Sequence, residues 1–196
     1  MMSPPGRFDD AYYRRFYGDD GAHDPERIHH LATAVHGMCA WWGVEVGTVL
    51  DVGAGMGMWR DWYRTNHPHV RVRSLDVSEH ACRTWGHEQL DIATWRPDEE
   101  FDLVICHSVL QYLDDAGALT AVGNLGAATG WVLYLEAPTA ADLSELVDTE
   151  RTDMDVHRRT GEWYRRALAP WFRQVGAGLW VRHDTVPMYE LEAAAP

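Results

Sequence analysis

The chain alternates short apolar segments, typical of buried strands, with longer segments whose apolar residues recur at helical spacing. The clearest helix starts at Asp24-Pro25, where an acid can cap the helix and a proline fits its first turn, and it ends near Gly43. The buried face predicted for this helix is Ile28, Leu31, Val35, Met38 and Trp42. The strand-like segments lie at 48–52, 70–75, 88–90, 101–106 and 131–135. Strands that alternate with helices predict an α/β fold with a mostly parallel sheet.

Further helices are predicted after the first strand, where Trp59, Trp62 and Tyr63 fall on one side, and at 78–85, 116–125 and 160–171. The segment 139–160 departs from the strand–helix rhythm because it crowds acidic residues together with His157. We interpret that segment as part helix and part loop facing a substrate.

The length of 196 residues suits one domain with a substantial core. We predict a single domain over 1–196, with an N-terminal helical cap at 1–43, a core at 44–192 and a substrate-side insertion at 139–160. The formal charge of −13 and the lack of a Lys/Arg run argue against nucleic acid as a partner.

The cysteines Cys39, Cys82 and Cys106 are odd in number and widely separated, so they predict neither a disulfide framework nor a zinc site. An apolar segment long enough for a signal peptide or a membrane span is not visible, and we expect a cytoplasmic protein. The adjacent Trp41 and Trp42 could form a homodimer patch, although burial would explain them equally well.

The segment 48–59 joins a buried strand to a glycine-rich turn and a helix. Its pattern is Asp-x-Gly-x-Gly-x-Gly, with Asp51 followed by Gly53, Gly55 and Gly57. A dinucleotide site would need a small residue at the sixth position of the glycine fingerprint, and Met58 stands there instead. The pattern resembles motif I of the class I S-adenosylmethionine-dependent methyltransferases.

This resemblance covers roughly residues 45–192 and implies a Rossmann-like, mostly parallel seven-stranded sheet with helices on both faces. It also implies a C-terminal antiparallel strand pair, which we assign to 179–182 and 186–191. The segment 109–113 resembles the helix opening that follows strand four in small-molecule methyltransferases. The residues before it lack the motifs of the related DNA-methylating enzymes.

The resemblance implies S-adenosyl-L-methionine as cofactor. In this interpretation Asp51 compensates the ammonium group of the cofactor, and Asp76, at the end of strand two, binds the ribose hydroxyls. Asp76 could instead cap the following helix, and Asp91 could be an ordinary loop acid. The complete predicted cofactor set is Asp51, Gly53, Gly55, Gly57, Asp76, Val77, Asp91, Ile92, Cys106, His107 and Tyr17.

His107, Glu136 and His157 are the candidates for catalysis, because the first two follow strands whose ends meet at one rim and the third lies in the insertion. The two histidines also have plainer interpretations, His107 as a cofactor-wall or hydrogen-bonded structural residue and His157 as a solvated loop residue. An alternative use of His107, Glu136 and the acids at 142–155 is to hold Mg²⁺.

Acidic and aromatic side chains near the rim favour a hydroxyl of a small polar acceptor, such as a sugar or glycoside, as the methylated group. The size and composition, but no motif, are similar to those of mycobacterial sugar O-methyltransferases. The alternatives are an N- or carboxyl methyltransferase, a non-catalytic protein that binds the cofactor, and a nicotinamide-dependent oxidoreductase.

Overall fold

The computed structural model describes residues 6–18 and 24–192 of the chain. Of the predicted cap, residues 1–5 and 19–23 therefore lie outside the described part. The helices are α1 (Asp10–Tyr17), α2 (Pro25–Trp41), α3 (Met58–Asn66), α4 (Glu79–Trp85), α5 (Asp115–Ala128), α6 (Ala140–Glu145) and α7 (Gly161–Leu168). The strands are β1 (Thr48–Val52), β2 (Arg71–Asp76), β3 (Glu88–Gln89), β4 (Phe101–His107), β5 (Thr129–Glu136), β6 (Phe172–Gly176) and β7 (Leu179–Arg182).

These strands form one seven-stranded sheet in the order β3-β2-β1-β4-β5-β7-β6. The pairs from β3 through β5 are parallel, and β7 runs antiparallel to both β5 and β6. The chain order reverses at β1, whose neighbours are β2 and β4, so a crevice forms beyond the carboxyl end of β1. The prediction of a Rossmann-like, mostly parallel sheet is confirmed.

Helices cover both faces of the sheet because successive strand residues point to opposite sides. On one face Leu50 and Val104 pack in a cluster that includes residues of α5 and α7. On the other face Val49 and Leu103 pack in a cluster that includes residues of α2 and α3. The central strands β1 and β4 are thus buried from both sides, as continuous apolar runs predict.

The buried face of α2 differs from the prediction, since Ile28, Ala32, Val35 and Cys39 are its buried residues. The predicted Leu31, Met38 and Trp42 are only partly buried at the edge of that face. Small side chains at Ala32 and Cys39 let the helix approach the core closely, and a pattern weighted towards large residues misses them.

The predicted C-terminal antiparallel strand pair is present and its predicted strand 179–182 is β7, but the assignment of the second strand to 186–191 is wrong. The pair consists of β6 and β7, and residues 186–191 form no strand. Gly176, Ala177 and Gly178 all have positive φ and make the hairpin turn between the two strands. Pro187 lacks the N–H that a strand in the middle of a sheet would need.

Two smaller features refine the predicted organisation. The helix opening expected at 109–113 is a short 3₁₀ turn over residues 110–112, and the α-helix that follows it begins at Asp115. In the 139–160 segment, α6 is followed by a loop that continues to Thr160. Within residues 6–18 and 24–192, every helix is too short or too polar to cross a membrane.

Candidate functional site

The glycine turn between β1 and α3 bends through three left-handed residues, Gly53, Gly55 and Gly57. A Cβ on Gly53 would lie 2.3 Å from Cγ2 of Val109, so only glycine fits there. Gly57 has a different reason, because a Cβ on it would lie 2.6 Å from the Arg60 guanidinium. The backbone at Gly53 therefore lies against the start of the 3₁₀ segment, and side chains do not fit at Gly53 or Gly57.

Asp51 lies inside β1 and is only 2% exposed. Burial raises the pKa of its carboxyl to about 7, against the lowering effect of the Arg60 backbone N–H and of the Arg60 and His107 charges. Within the described residues, Oδ2 of Asp51 has no hydrogen-bond partner. A buried carboxylate with an unsatisfied oxygen is suited to attract a cationic group of a ligand.

Asp76 ends β2 and is also buried. Its carboxylate accepts hydrogen bonds from the backbone N–H groups of Gly55, at 2.9 Å, and Ser78, at 2.8 Å. Burial raises its pKa, and these two donors act in the opposite direction. The helix-capping alternative for Asp76 does not fit, because Ser78 caps α4 with its own hydroxyl. Asp76 therefore fastens the glycine turn to the end of β2 and faces the crevice.

A groove, here called the glycine groove, runs along the carboxyl ends of β1, β2 and β3. Predicted cofactor residues that line it are Tyr17, Gly53, Gly55, Asp76, Val77, Asp91 and Ile92. A smaller adjoining pocket shares Tyr17, Gly53 and Gly55 with it and is lined by Asp51 and His107. The structure thus brings most of the predicted set together along one rim.

Two predicted cofactor residues, Gly57 and Cys106, line neither the glycine groove nor the adjoining pocket. Gly57 serves the packing of Arg60, as described above. Cys106 is fully buried in the cluster on the α5 side of the sheet, and burial raises the pKa of its thiol. Its side chain therefore belongs to the core.

Helix α1 forms a lid over the glycine groove, to which it contributes Tyr12, Tyr13 and Tyr17. The hydroxyls of Tyr12 and Tyr112 lie 2.8 Å apart. Arg7, just before the lid, pairs with Asp153 at 3.3 Å and stacks over the Tyr112 ring. The lid is therefore tied both to the 3₁₀ segment and to the 146–160 loop.

His107 and Glu136 are direct partners in the register of β4 and β5. Nε2 of His107 lies 3.1 Å from Oε2 of Glu136, which also accepts a hydrogen bond from the Ser108 hydroxyl at 2.8 Å. Nδ1 of His107 accepts from the Trp59 indole N–H at 3.1 Å. Glu136 is thereby held by two side-chain donors at the end of a strand.

A second groove, here called the Glu136 groove, lies beside the first and shares Tyr12, Ser108 and Tyr112 with it. Its walls come from the start of α2, the 3₁₀ segment and the 146–160 loop. Charged or titratable side chains that line it are Asp24, Arg27, His107, Glu136, Arg151 and Asp153. It is a cavity with both charged and apolar walls next to the glycine groove, which is the arrangement that a two-substrate transfer needs.

His157 lies apart from the pair formed by His107 and Glu136. Its side chain is exposed and is not among the residues that line either groove, while its backbone N–H donates to the Gln111 carbonyl at 2.8 Å. The acids proposed for Mg²⁺ are also dispersed, since Asp142 belongs to the capping box of α6. Among the described residues, no cluster of three or more His, Cys, Asp or Glu could hold a metal ion.

Sequence reasoning missed Ser108, Gln111 and Tyr112, which line the two grooves, and Trp59, which lines the smaller adjoining pocket. Ser108 carries a signal that only the structure shows, because its φ of 57° is unusual for a residue with a side chain. Gln111 is buried, and its side-chain carbonyl has no partner among the described residues. The pairing of Trp59 with His107 joins α3 to β4, and no local pattern indicates it.

Residues 24–180 match a family model described as a methyltransferase domain. None of the curated proteins compared with the chain matches it. An S-adenosylmethionine-dependent methyltransferase from Clostridium acetobutylicum ATCC 824 has a similar fold, with 13% identity and a TM-score of 0.60, over 81% of this chain and 84% of that one.

Two further solved structures have a similar fold. N-methyltransferase NodS from Bradyrhizobium japonicum WM9, solved with S-adenosyl-L-homocysteine, is 18% identical with a TM-score of 0.61, over 90% of this chain and 99% of that one. CalS10, an amino pentose methyltransferase from Micromonospora echinaspora, solved with S-adenosylmethionine, is 18% identical with a TM-score of 0.60, over 88% and 95%. At these identities the likeness establishes the fold.

Proposed function

Since this chain belongs to the class I S-adenosylmethionine-dependent methyltransferases, we propose that it methylates a hydroxyl of a small polar acceptor bound in the Glu136 groove. A sugar or glycoside is the first candidate for that acceptor. The observation that carries the proposal is the Glu136 carboxylate, which His107 and Ser108 hold at the wall of a groove beside the glycine groove.

The residues of the glycine groove fit the cofactor. Asp51 would place its unsatisfied oxygen towards the ammonium group, and Asp76 would accept from the ribose hydroxyls with the lone pairs that the backbone leaves. Asp91 and Ile92 would meet the adenine ring. Burial of Asp51 makes this attraction stronger than at a solvent-exposed site.

The cofactor supplies a methyl group already activated by a positively charged sulfur, so the protein must align the acceptor and remove its proton. Glu136 is the proposed proton acceptor because its side chain lines the acceptor groove, at the same rim of the sheet as the glycine groove. His107 was predicted as a base, but its acceptor nitrogen Nδ1 already receives the Trp59 N–H. Its role in the proposal is to orient Glu136.

An amine acceptor is the second candidate, because NodS and CalS10, which share the fold, are described as an N-methyltransferase and an amino pentose methyltransferase. A neutral amine is a better nucleophile than a hydroxyl and needs proton removal less. The dependence of turnover on Glu136 therefore distinguishes the two acceptor classes.

The test is a panel of free sugars, glycosides, amino sugars and carboxylic acids, with S-adenosylhomocysteine formation and product mass as readouts. We expect a polyol to accept methyl, and we expect Glu136→Gln to lower kcat by about 10²–10⁴-fold, the range that a positioned general base contributes. Glu145→Gln, which changes an exposed carboxylate on α6, is the matched control. Binding of S-adenosylhomocysteine should be the same in all three proteins.

Two results would contradict the proposal. One is methylation of an amine or a carboxylic acid while every polyol fails. The other is parental turnover of a polyol by Glu136→Gln, which would show that the carboxylate takes no part in proton removal.

A further inference from the structure

Trp59 lies in the first turn of α3 with its side chain buried against β4 and β5. Its ring packs on Tyr134 with 5.2 Å between centroids and meets the His107 ring edge-on. Its indole N–H points at Nδ1 of His107 across 3.1 Å. The helix that follows the glycine turn thus supplies a hydrogen-bond donor to the end of β4.

This contact determines which nitrogen of His107 carries the proton. An indole N–H only donates, so Nδ1 must be the unprotonated nitrogen of the imidazole. The remaining proton then resides on Nε2, which lies 3.1 Å from Oε2 of Glu136. His107 is therefore neutral in this arrangement and donates to Glu136, because a proton on Nδ1 would oppose the Trp59 N–H.

The position of the proton on His107 affects Glu136, which lies on the adjacent strand. His107 and Glu136 face each other in the β4–β5 register, so the imidazole reaches the carboxylate without a change in the backbone. The Ser108 hydroxyl adds a second neutral donor to the same oxygen. Neither of these two donors carries a full positive charge. The charged side chains that line the same groove as Glu136 are Asp24, Arg27, Arg151 and Asp153.

We propose that Trp59 is a positioning residue that keeps His107 in its neutral Nε2–H form and thereby keeps Glu136 effective as a proton acceptor. The inference rests on the proposed function, in which Glu136 takes the proton of the acceptor. Without the indole N–H, Nδ1 is able to bind a proton, and an imidazolium then pairs with the carboxylate. A carboxylate paired with a cation is a weaker base.

The test compares the parent with Trp59→Phe, which keeps an aromatic ring but removes the N–H. Trp62→Phe is the matched control, since Trp62 is buried on the same helix and its indole nitrogen has no hydrogen-bond partner among the described residues. The first readout is ¹⁵N NMR of the histidine side chains at neutral pH, with His107 assigned by its loss in His107→Gln.

In the parent and in Trp62→Phe, His107 should show one unprotonated nitrogen, Nδ1, and one protonated nitrogen, Nε2. In Trp59→Phe, both nitrogens should become protonated in a substantial fraction of molecules. A protonated Nδ1 in the parent would overturn the proposal, and this observation does not depend on whether the variant folds. An unchanged His107 spectrum in folded Trp59→Phe would overturn it as well.

The second readout is steady-state kinetics with whichever acceptor the panel identifies. Trp59→Phe should lower kcat by about tenfold or more with little change in KM, while Trp62→Phe should keep the parental kcat. A rise in KM with kcat unchanged would contradict a positioning role. Because the NMR experiment needs no acceptor, failure of the proposed methyl transfer and failure of the Trp59 inference are distinguishable.

Discussion

Asp51 shows how a single residue can be costly for stability and still suit a ligand. Its carboxylate is buried in β1, burial raises its pKa, and one of its oxygens has no partner within the described residues. The charged form is therefore disfavoured in the ligand-free protein. A cationic ligand group beside it would remove that penalty, which couples cofactor binding to folding stability.

The raised pKa of Asp51 predicts how the stability of the protein depends on pH. The folded protein holds a proton on Asp51 up to about pH 7, while in the unfolded chain this carboxyl loses its proton near its ordinary pKa of 3.8. The folded state thus binds more protons between these values, and this residue's contribution to the free energy of unfolding falls as the pH rises through that window. Above about pH 7 the full penalty remains.

Asp51→Asn removes this titration. Relative to the parent, its free energy of unfolding should rise by on the order of 2–3 kcal/mol between pH 5 and pH 8, measured by urea denaturation without cofactor. Asp98→Asn, which alters an exposed carboxylate, should show no such trend. The same Asp51→Asn variant should bind S-adenosylmethionine more weakly. A pH-independent difference from the parent would contradict the assignment of the raised pKa.

At the scale of elements, two of the three glycines in α5, Gly123 and Gly126, have opposite surroundings. A Cβ on Gly126 would lie 2.3 Å from the Trp171 ring, whereas a Cβ on Gly123 would meet nothing within 4 Å. Gly126 therefore allows close packing between α5 and the residue before β6. Gly123 only lowers the helix propensity of α5.

Alanine at these two positions should have opposite effects. Gly126→Ala should lower the free energy of unfolding by about 1–3 kcal/mol, because the tryptophan must move. Gly123→Ala should raise it by up to about 1 kcal/mol. Urea unfolding of both variants under one condition gives the comparison, and equal effects would show that Trp171 does not constrain the helix.

Elements differ in how well the sequence predicts them. The central strand β1 is marked by a short apolar run that leads into a glycine turn, and α2 by a capping acid followed by proline. Of the β6–β7 hairpin, β7 was predicted but β6 was missed, because the turn between them is marked by Gly176 and Gly178, while the segment chosen as the second strand, 186–191, has apolar residues and a proline. Periodicity reports burial and says less about turn geometry.

The candidate site was predictable where topology alone decides it. Parallel strands bring their carboxyl ends to one rim, so Asp76 and Glu136 could be placed there from the order of segments. The contact between Trp59 and His107 could not be predicted in this way, because it depends on the directions of one side chain from a helix and one from a strand. Spacing along the chain indicates such a contact only within one element.

For the whole molecule, the two grooves and the lid form a connected unit. The glycine groove and the Glu136 groove share Tyr12, Ser108 and Tyr112, and Arg7 links the lid to the 146–160 loop. Ligands bound in the two grooves would therefore contact the same three side chains. Trp41 is 68% exposed at the end of α2, and the homodimer patch there stays a prediction.

The central claim is that the glycine groove binds S-adenosylmethionine, and calorimetric titration of the purified protein with S-adenosylhomocysteine tests it most directly. NADH is the comparison ligand, and Asp76→Asn is the variant. We expect micromolar binding of S-adenosylhomocysteine alone, weakened by about tenfold or more in the variant, because a charge-assisted hydrogen bond contributes about 1.5–3 kcal/mol. Binding of NADH in its place, or undiminished binding by Asp76→Asn, would contradict the account.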